Sequence, residues 1–286
     1  MMFDLEARAR PILKWAGGKT GLLSQLTKHF PSRFAKYFEP FLGGGAVFLA
    51  LKDGVPAVLS DSNREIIDLY TVVRDRCDDL VRTLDDLASK YSEEFYYRVR
   101  SDDFSDPVQR AARTVFLNKT GFNGLYRQNS KGGFNVPFGK RKRCPALYDE
   151  ANLIAVGDRL RRAELRCDDF ATVIGGAGPG DFVYCDPPYE PLSKTSSFNA
   201  YKDGGFSQHE QERLRDACAE AAGRGAMVAV SNSSSSFIKE LYRGFDIRTV
   251  MARRAINSKG DSRGEIEEIL VLMGMTPTLK GGPVAG

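Results

Sequence analysis

The segment Asp181-Phe182-Val183-Tyr184-Cys185 is an apolar run that stops at Asp186-Pro187-Pro188-Tyr189. Two consecutive prolines hold the backbone extended and remove two N–H donors. What is left in place is a carboxylate, backbone carbonyls and an aromatic ring. These are acceptors for an amino group beside a surface on which a flat ring can stack. An exocyclic NH2 on a nucleobase satisfies both. The bland alternative is a proline-rich turn closing a strand.

Two further segments offer a pocket for a nucleoside-containing ligand. Phe41-Leu42-Gly43-Gly44-Gly45 follows the strand-like Tyr37-Phe38-Glu39-Pro40. Glycines at that place let a backbone approach a ligand at the carboxyl end of a strand. Asp61 ends the next apolar run, Ala57-Val58-Leu59-Ser60, and a carboxylate there suits two ribose hydroxyls. The third glycine of a dinucleotide fingerprint is missing, because Phe48 stands there. Lys14-Trp15-Ala16-Gly17-Gly18-Lys19-Thr20 ends like a phosphate-binding loop. It has Leu13 where that loop needs glycine, which argues against a nucleoside triphosphate.

A fourth segment is basic and aromatic. Between Asn118 and Arg143 stand seven basic residues and no acidic one, although the whole chain carries only +4. Arg127, Lys131, Lys140, Arg141, Lys142 and Arg143 interleave with Phe122, Tyr126, Phe134 and Phe138. That mixture suits a loop on nucleic acid, where arginine can read guanine and an aromatic ring can wedge between bases. A solvated basic loop is the alternative.

These residues need a frame. The order of strand, glycine turn, helix and strand begins an α/β unit with a parallel sheet. Helical apolar spacing runs through 66–73, 80–87 and 110–117, with a further helix near 153–160. Gly18–Phe30 reads as a short helix and Gly121–Pro137 as a loop or hairpin. Strands return at 181–185, 227–231, 245–250 and 266–273, and Ser207 with Glu210 forms a capping box for a helix over 207–222. At 286 residues and 42% hydrophobic, the chain can bury a large core without disulfides. Its five cysteines are scattered, with no CxxC pair, and its two histidines, His29 and His209, are far apart, so neither a metal site nor a Ser-His-Asp triad is expected. No apolar run approaches the roughly 20 residues of a membrane span. MMFDLEARARP lacks the apolar stretch of a signal peptide, so a cytoplasmic protein with no membrane contact is expected.

Taken in order, the motifs resemble the Dam-type DNA adenine-N6 methyltransferases, the α group of amino-methyltransferases, or D12 class. They are KWAGGK at 14–19, EPFLGGG at 39–45, Asp61, NKTGFNGLYRQNSKGGFNVPFG at 118–139 and YCDPPY at 184–189. PLSKTSSFNAY, Ser231-Asn232 and RRAINSKGDSR near the end extend the likeness, which spans about Ile12 to Met273. The sequence departs from the family in its all-glycine turn, in the four serines Ser233 to Ser236 and in the strongly basic Lys140-Arg141-Lys142-Arg143.

The resemblance implies a Rossmann-like α/β fold: a seven-stranded S-adenosylmethionine-dependent methyltransferase sheet with an inserted, mainly helical target-recognition domain. Residues 1–62 and 163–275 would form the catalytic unit and 63–162 the recognition unit, with a DNA-reading hairpin at about 118–140 and a disordered tail from 276 to 286. Asp186, Pro187, Pro188 and Tyr189 would be catalytic. Trp15, Lys19, Phe41, Gly43, Asp61, Asp169, Phe170 and Asp186 would hold S-adenosylmethionine, Phe41 and Gly43 beside its methionine end and Asp169 and Phe170 at its adenine. Phe122, Asn123, Leu125, Arg127, Asn135, Pro137, Lys140 and Arg141 would contact double-stranded DNA, with GATC as the expected site. The enzyme would act as a monomer without metal, alone or beside a cognate restriction endonuclease. Methylation of RNA or of cytosine N4, an inactive DNA-binding module and a nicotinamide-dependent dehydrogenase are the competing readings.

Overall fold

A computed structural model describes residues 2–129, 132–192, 206–253 and 265–275. Lys131, most of PLSKTSSFNAY, most of RRAINSKGDSR and the tail from Thr276 lie outside the described residues.

Seven strands form one sheet: β1 (Tyr37–Glu39), β2 (Ala57–Ser60), β3 (Ala163–Arg166), β4 (Phe182–Cys185), β5 (Met227–Ser233), β6 (Asp246–Arg253) and β7 (Glu265–Met273). Their order is β3-β2-β1-β4-β5-β7-β6. The first five run parallel, and β7 lies antiparallel between β5 and β6. This is the seven-stranded methyltransferase-type sheet that the motif order implies. β1, β2 and β4 are buried along their whole length, which explains their unbroken apolar runs. Phe182 and Tyr184 face one apolar layer, and Val183 and Cys185 face the other.

Strand β3 has no counterpart in the sequence reading. It is an edge strand with only Ala163 buried, so its sequence, Ala-Glu-Leu-Arg, carries little apolar signal.

Between β2 and β3 the chain is helical: α3 (Arg64–Asp75), α4 (Cys77–Ser89), α5 (Glu93–Ser101), α6 (Pro107–Thr120) and α7 (Glu150–Leu160). Side-chain caps set four of the starts. Asn63 Oδ1 accepts from Glu65 N, Ser92 Oγ from Phe95 N, Asp106 Oδ1 from Gln109 N and Asp149 Oδ1 from Asn152 N. Helix α6 is buried nearly all round and packs against α3, α4 and α5. Helix α5, which shows only Tyr96 and Val99 as buried residues, is missing from the sequence reading.

Four short helices complete the frame: α1 (Leu23–Leu26), α2 (Ala46–Leu49), α8 (Phe170–Gly175) and α10 (Ser236–Leu241). The long α9 (Gln208–Gly223) starts at its expected cap, where Ser207 Oγ accepts from Glu210 N. The expected helix over Gly18–Phe30 shrinks to a 3-10 turn, Lys19–Leu22, and the single α-turn of α1. No side chain caps its start, and Lys19 is drawn away toward Asp186.

The strand order reverses between β1 and β4. In open α/β sheets, ligands bind outside the carboxyl ends of the strands at such a switch point. Here those ends release Pro40 to Gly45 on one side and Asp186 to Tyr189 on the other.

Candidate active site

A cleft of about 860 Å³ opens at this switch point. It is lined by Asp186, Pro187, Pro188 and Tyr189, and by Trp15, Lys19, Phe41, Gly43, Asp61, Asp169 and Phe170. Every residue expected at the catalytic motif and the cofactor pocket therefore borders one cavity.

The glycine turn forms its floor. Gly43 has φ +45°, and a Cβ there would stand 2.5 Å from Trp15 Nε1, so only glycine lets the indole lie over the turn. Gly44, the unusual middle glycine, lies against Trp15 Cβ, where an added Cβ would come within 3.2 Å. Asp61 ties the turn to β2. Its Oδ2 accepts from Gly43 N at 2.8 Å and its Oδ1 from Asn63 N at 2.9 Å. Burial raises its pKa, and these two backbone bonds oppose the rise. Each oxygen keeps a lone pair for a hydroxyl donor.

Three phenylalanines form one wall. Phe41 stacks on Phe170 at 5.4 Å and 27°, and Phe206 stands edge-on to Phe41 at 5.7 Å. Phe41, expected at the methionine end, is thus in contact with Phe170, expected at the adenine end. Arg213 covers the Phe170 ring at 4.4 Å and pairs with Asp169. Asp169 caps α8 through Ala171 N. Burial would raise the Asp169 pKa, but the bonds from Arg213 and the helix start outweigh it and bring it below the ordinary value.

At the other wall, Lys19 Nζ pairs with Asp186 Oδ1 at 2.8 Å and lies 4.7 Å from the centre of the Tyr189 ring. Its side chain is 5% exposed, against 21% for Asp186. Burial raises the Asp186 pKa, and the Lys19 charge holds it down. Tyr189 Oη donates to Glu268 Oε2 on β7 at 2.8 Å. Beneath them Glu39, fully enclosed, accepts from Tyr37 Oη at 2.9 Å. Burial raises its pKa to about 8, with the charges of Asp186 and Asp61 adding to the rise and the Tyr37 bond opposing it.

The basic hairpin is docked on the rim of the cleft. Asn118, fully buried at the end of α6, exchanges two hydrogen bonds with the Lys14 backbone and donates to Gly124 O. Lys14 Nζ reaches Asn123 O at 2.6 Å. Tyr126 packs on Trp15 with ring centroids 4.9 Å apart. Phe134, Val136 and Phe138 point inward, while Phe122 (50% exposed), Asn123, Leu125 (39%), Arg127, Pro137, Lys140 and Arg141 face solvent. Phe122 N donates to Pro137 O, and Arg127 Nε donates to Asn135 Oδ1 at 2.8 Å. Asn135 therefore orients the arginine in addition to any contact of its own.

The sequence reading gave no role to Phe206 and Glu268, which line the cleft, to Glu39, noted only within EPFLGGG, or to the buried pair behind the cleft, Gln211 and Asn232, the latter noted only within Ser231-Asn232. Gln211 had a signal, being a polar residue on the face of α9 that buries Leu214, Cys218 and Ala221. Glu268 had less, since it sits in the strand Glu-Ile-Glu-Glu-Ile, whose first residues are only partly buried.

No group of three or more metal-ligating side chains occurs among the described residues, and no described helix is long and apolar enough to cross a membrane.

A family model described as D12 class N6 adenine-specific DNA methyltransferase matches residues 15–256. The Type II methyltransferase M.MjaIII of Methanocaldococcus jannaschii is 42% identical, with 92% of this chain and 98% of that protein covered. The DNA adenine methylase of Escherichia coli strain K12 is 36% identical, with 92% and 95% covered. The DNA N-6-adenine-methyltransferase of Escherichia phage P1 is 40% identical over 92% of this chain and 35% of its own length.

Proposed function

The chain belongs to the D12 class N6 adenine-specific DNA methyltransferases, and on that premise we propose that it transfers the methyl group of S-adenosylmethionine to adenine N6 within GATC in duplex DNA. One observation carries the reading: the Asp186 carboxylate and the Tyr189 ring open into the same cleft as the glycine turn and Asp61. An amino acceptor and a nucleoside-sized pocket share one cavity.

The residues fit the cofactor. The Trp15 indole fills the side-chain space of Gly43 and lines the cleft with the glycine turn, Asp61 offers acceptors to ribose hydroxyls, and Phe41, Phe170 and Phe206 offer a stacking wall for its adenine. S-adenosylmethionine, when bound, supplies a methyl group activated by its sulfonium.

The chain's own residues handle the target base. An adenine in a duplex must be extruded before its N6 can be reached. Phe122, half exposed at the foot of the hairpin beside Pro137, fills the space the base leaves. Tyr189 stacks on the extruded ring. The Asp186 carboxylate and the Pro187 carbonyl accept the two amino hydrogens, which fixes the orientation of N6. Burial raises the Asp186 pKa, and the charge and hydrogen bond of Lys19 oppose that rise and favour the carboxylate. Positioning and electrostatics in a shielded cleft supply most of the rate.

For recognition, residues 63–162 act as the target-reading unit and 1–62 with 163–275 as the catalytic unit. NKTGFNGLYR resembles the family's readers of GATC. Arg127, held by Asn135 and open to solvent, pairs with the guanine, while Leu125, Asn135 and Pro137 meet other bases. Asn123, Lys140 and Arg141 approach the phosphates.

The test uses methyl-labelled S-adenosylmethionine and two duplexes that differ only in GATC against a scrambled site. Label on the GATC duplex alone is expected. Label on both discards the GATC assignment, and label on neither discards the reaction.

A further inference from the structure

Tyr189 is held from three directions, by side chains of β7, α9 and β5. Its hydroxyl donates to Glu268. The peptide before it is gripped at Pro188 O, which accepts from Gln211 Nε2 at 2.9 Å. The peptide after it is gripped at Glu190 N, which donates to Asn232 Oδ1 at 3.2 Å. The two grips are joined, because Asn232 Nδ2 donates to Gln211 Oε1 at 2.9 Å. A second bond, Gln208 Nε2 to Glu190 Oε1 at 2.8 Å, ties the same turn to the start of α9.

Both amides are fully buried. Burying two amides is unfavourable unless their polar atoms are satisfied. Here they spend those bonds on the two peptide planes that flank one aromatic residue. Gln211 comes from α9 and Asn232 from β5, so the backbone on both sides of Tyr189 is held by two rigid elements, while Glu268 of β7 holds the ring's hydroxyl.

We propose that Gln211 and Asn232 are positioning residues that fix the ring plane of Tyr189 and so the angle at which the target base presents N6. The proposal rests on the function proposed above, in which Tyr189 stacks on the extruded adenine. A clamp of this kind prepays the ordering of the stacking surface, so its loss lowers the chemical step more than binding.

The test compares the wild type with Gln211→Met, which keeps length and removes both hydrogen bonds, on a GATC duplex and on one with 2-aminopurine in place of the target adenine. Expected for Gln211→Met are a kcat at least tenfold lower, and duplex and S-adenosylhomocysteine affinities within threefold of wild type. The 2-aminopurine fluorescence in the complex should be brighter, as stacking on Tyr189 loosens. Active protein is counted by S-adenosylhomocysteine binding, so misfolded material does not enter kcat. Asn232→Ala should give the same signature, and the double variant should be little worse than either alone. An unchanged kcat and fluorescence in Gln211→Met would overturn the clamp. So would a loss confined to duplex affinity. A wild type that binds the duplex but neither transfers methyl nor brightens 2-aminopurine would instead overturn the function on which the clamp rests.

Discussion

Trp15 and Gly43 are paired by shape: the indole Nε1 occupies the place where a side chain on residue 43 would begin, 2.5 Å from an ideal Cβ. The two come from different motifs, one before the first helix and one after β1, and together they form the floor of the cleft. Gly43→Ala must therefore move the indole as well as strain a positive φ. We expect about 1–2 kcal/mol of lost stability from the backbone and a tenfold or greater loss of S-adenosylhomocysteine affinity by titration calorimetry. Unchanged affinity would separate Trp15 from the cofactor.

Arg127 carries the proposed reading of guanine. Arg127→Ala should cost about 1–3 kcal/mol of discrimination at that base, read as the ratio of kcat/KM on GATC and on a duplex changed at the guanine. Loss of activity on both duplexes alike would make Arg127 a phosphate contact.

The pH profile should report the Asp186–Lys19 pair. Asp186 must be ionised to accept the amino hydrogens, so activity falls as pH drops through its pKa. Burial lifts that pKa above the ordinary aspartate value, and Lys19 restrains it. Lys19→Met removes the restraint and should move the acid limb of kcat/KM to higher pH. An unmoved limb would assign it to another group.

Glu39 gives a pH effect on stability instead. Its carboxyl, raised by burial to about 8 from an ordinary 4.5, stays protonated in the folded chain at neutral pH. Its stabilising contribution is complete below the unfolded value and is lost as pH rises toward 8. Glu39→Gln, which has no proton to lose, should gain stability relative to wild type across that window. The gain is about 1.4 kcal/mol per pH unit, on the order of 3 kcal/mol between pH 5 and 7.5. Urea unfolding at both pH values measures it, and a constant difference would place the charge of Glu39 elsewhere.

The parts of the site legible in sequence were those whose chemistry is local. Asp186-Pro187-Pro188-Tyr189 announces itself because two prolines and a buried strand leave few other uses for the carboxylate. Asp61 was legible because it ends an apolar run. Residues that act across the fold gave weaker signals. Glu268 reaches Tyr189 only because β7 runs antiparallel beside β5, and Asn232 meets Gln211 only because α9 packs over β5. Phe206 joins Phe41 and Phe170 from a segment with no periodicity. Edge strand β3 was invisible for the opposite reason, since its pairing with β2 is backbone hydrogen bonding and needs few apolar side chains.

The hairpin shows both cases. Its basic and aromatic content was plain, but its anchoring was not. Tyr126 Oη donates to Glu65 Oε2 at 2.6 Å and accepts from Asn63 and Gln128, so the hairpin and the start of α3 meet at one phenol. Tyr126→Phe keeps the contact with Trp15 and removes those bonds. It should cost about 1–3 kcal/mol of stability in thermal unfolding, with amide exchange fastest in residues 122–138. Uniformly faster exchange would mean that the phenol supports the whole fold.

The central claim is that Asp186 orients adenine N6 for methyl transfer. The most direct measurement is nucleoside analysis of a GATC duplex after incubation with S-adenosylmethionine and either the wild type or Asp186→Ala, with duplex binding measured in parallel. The account predicts N6-methyldeoxyadenosine from the wild type, none from Asp186→Ala, and comparable duplex affinity for the two. N6-methyldeoxyadenosine formed by Asp186→Ala at the wild-type rate would contradict it.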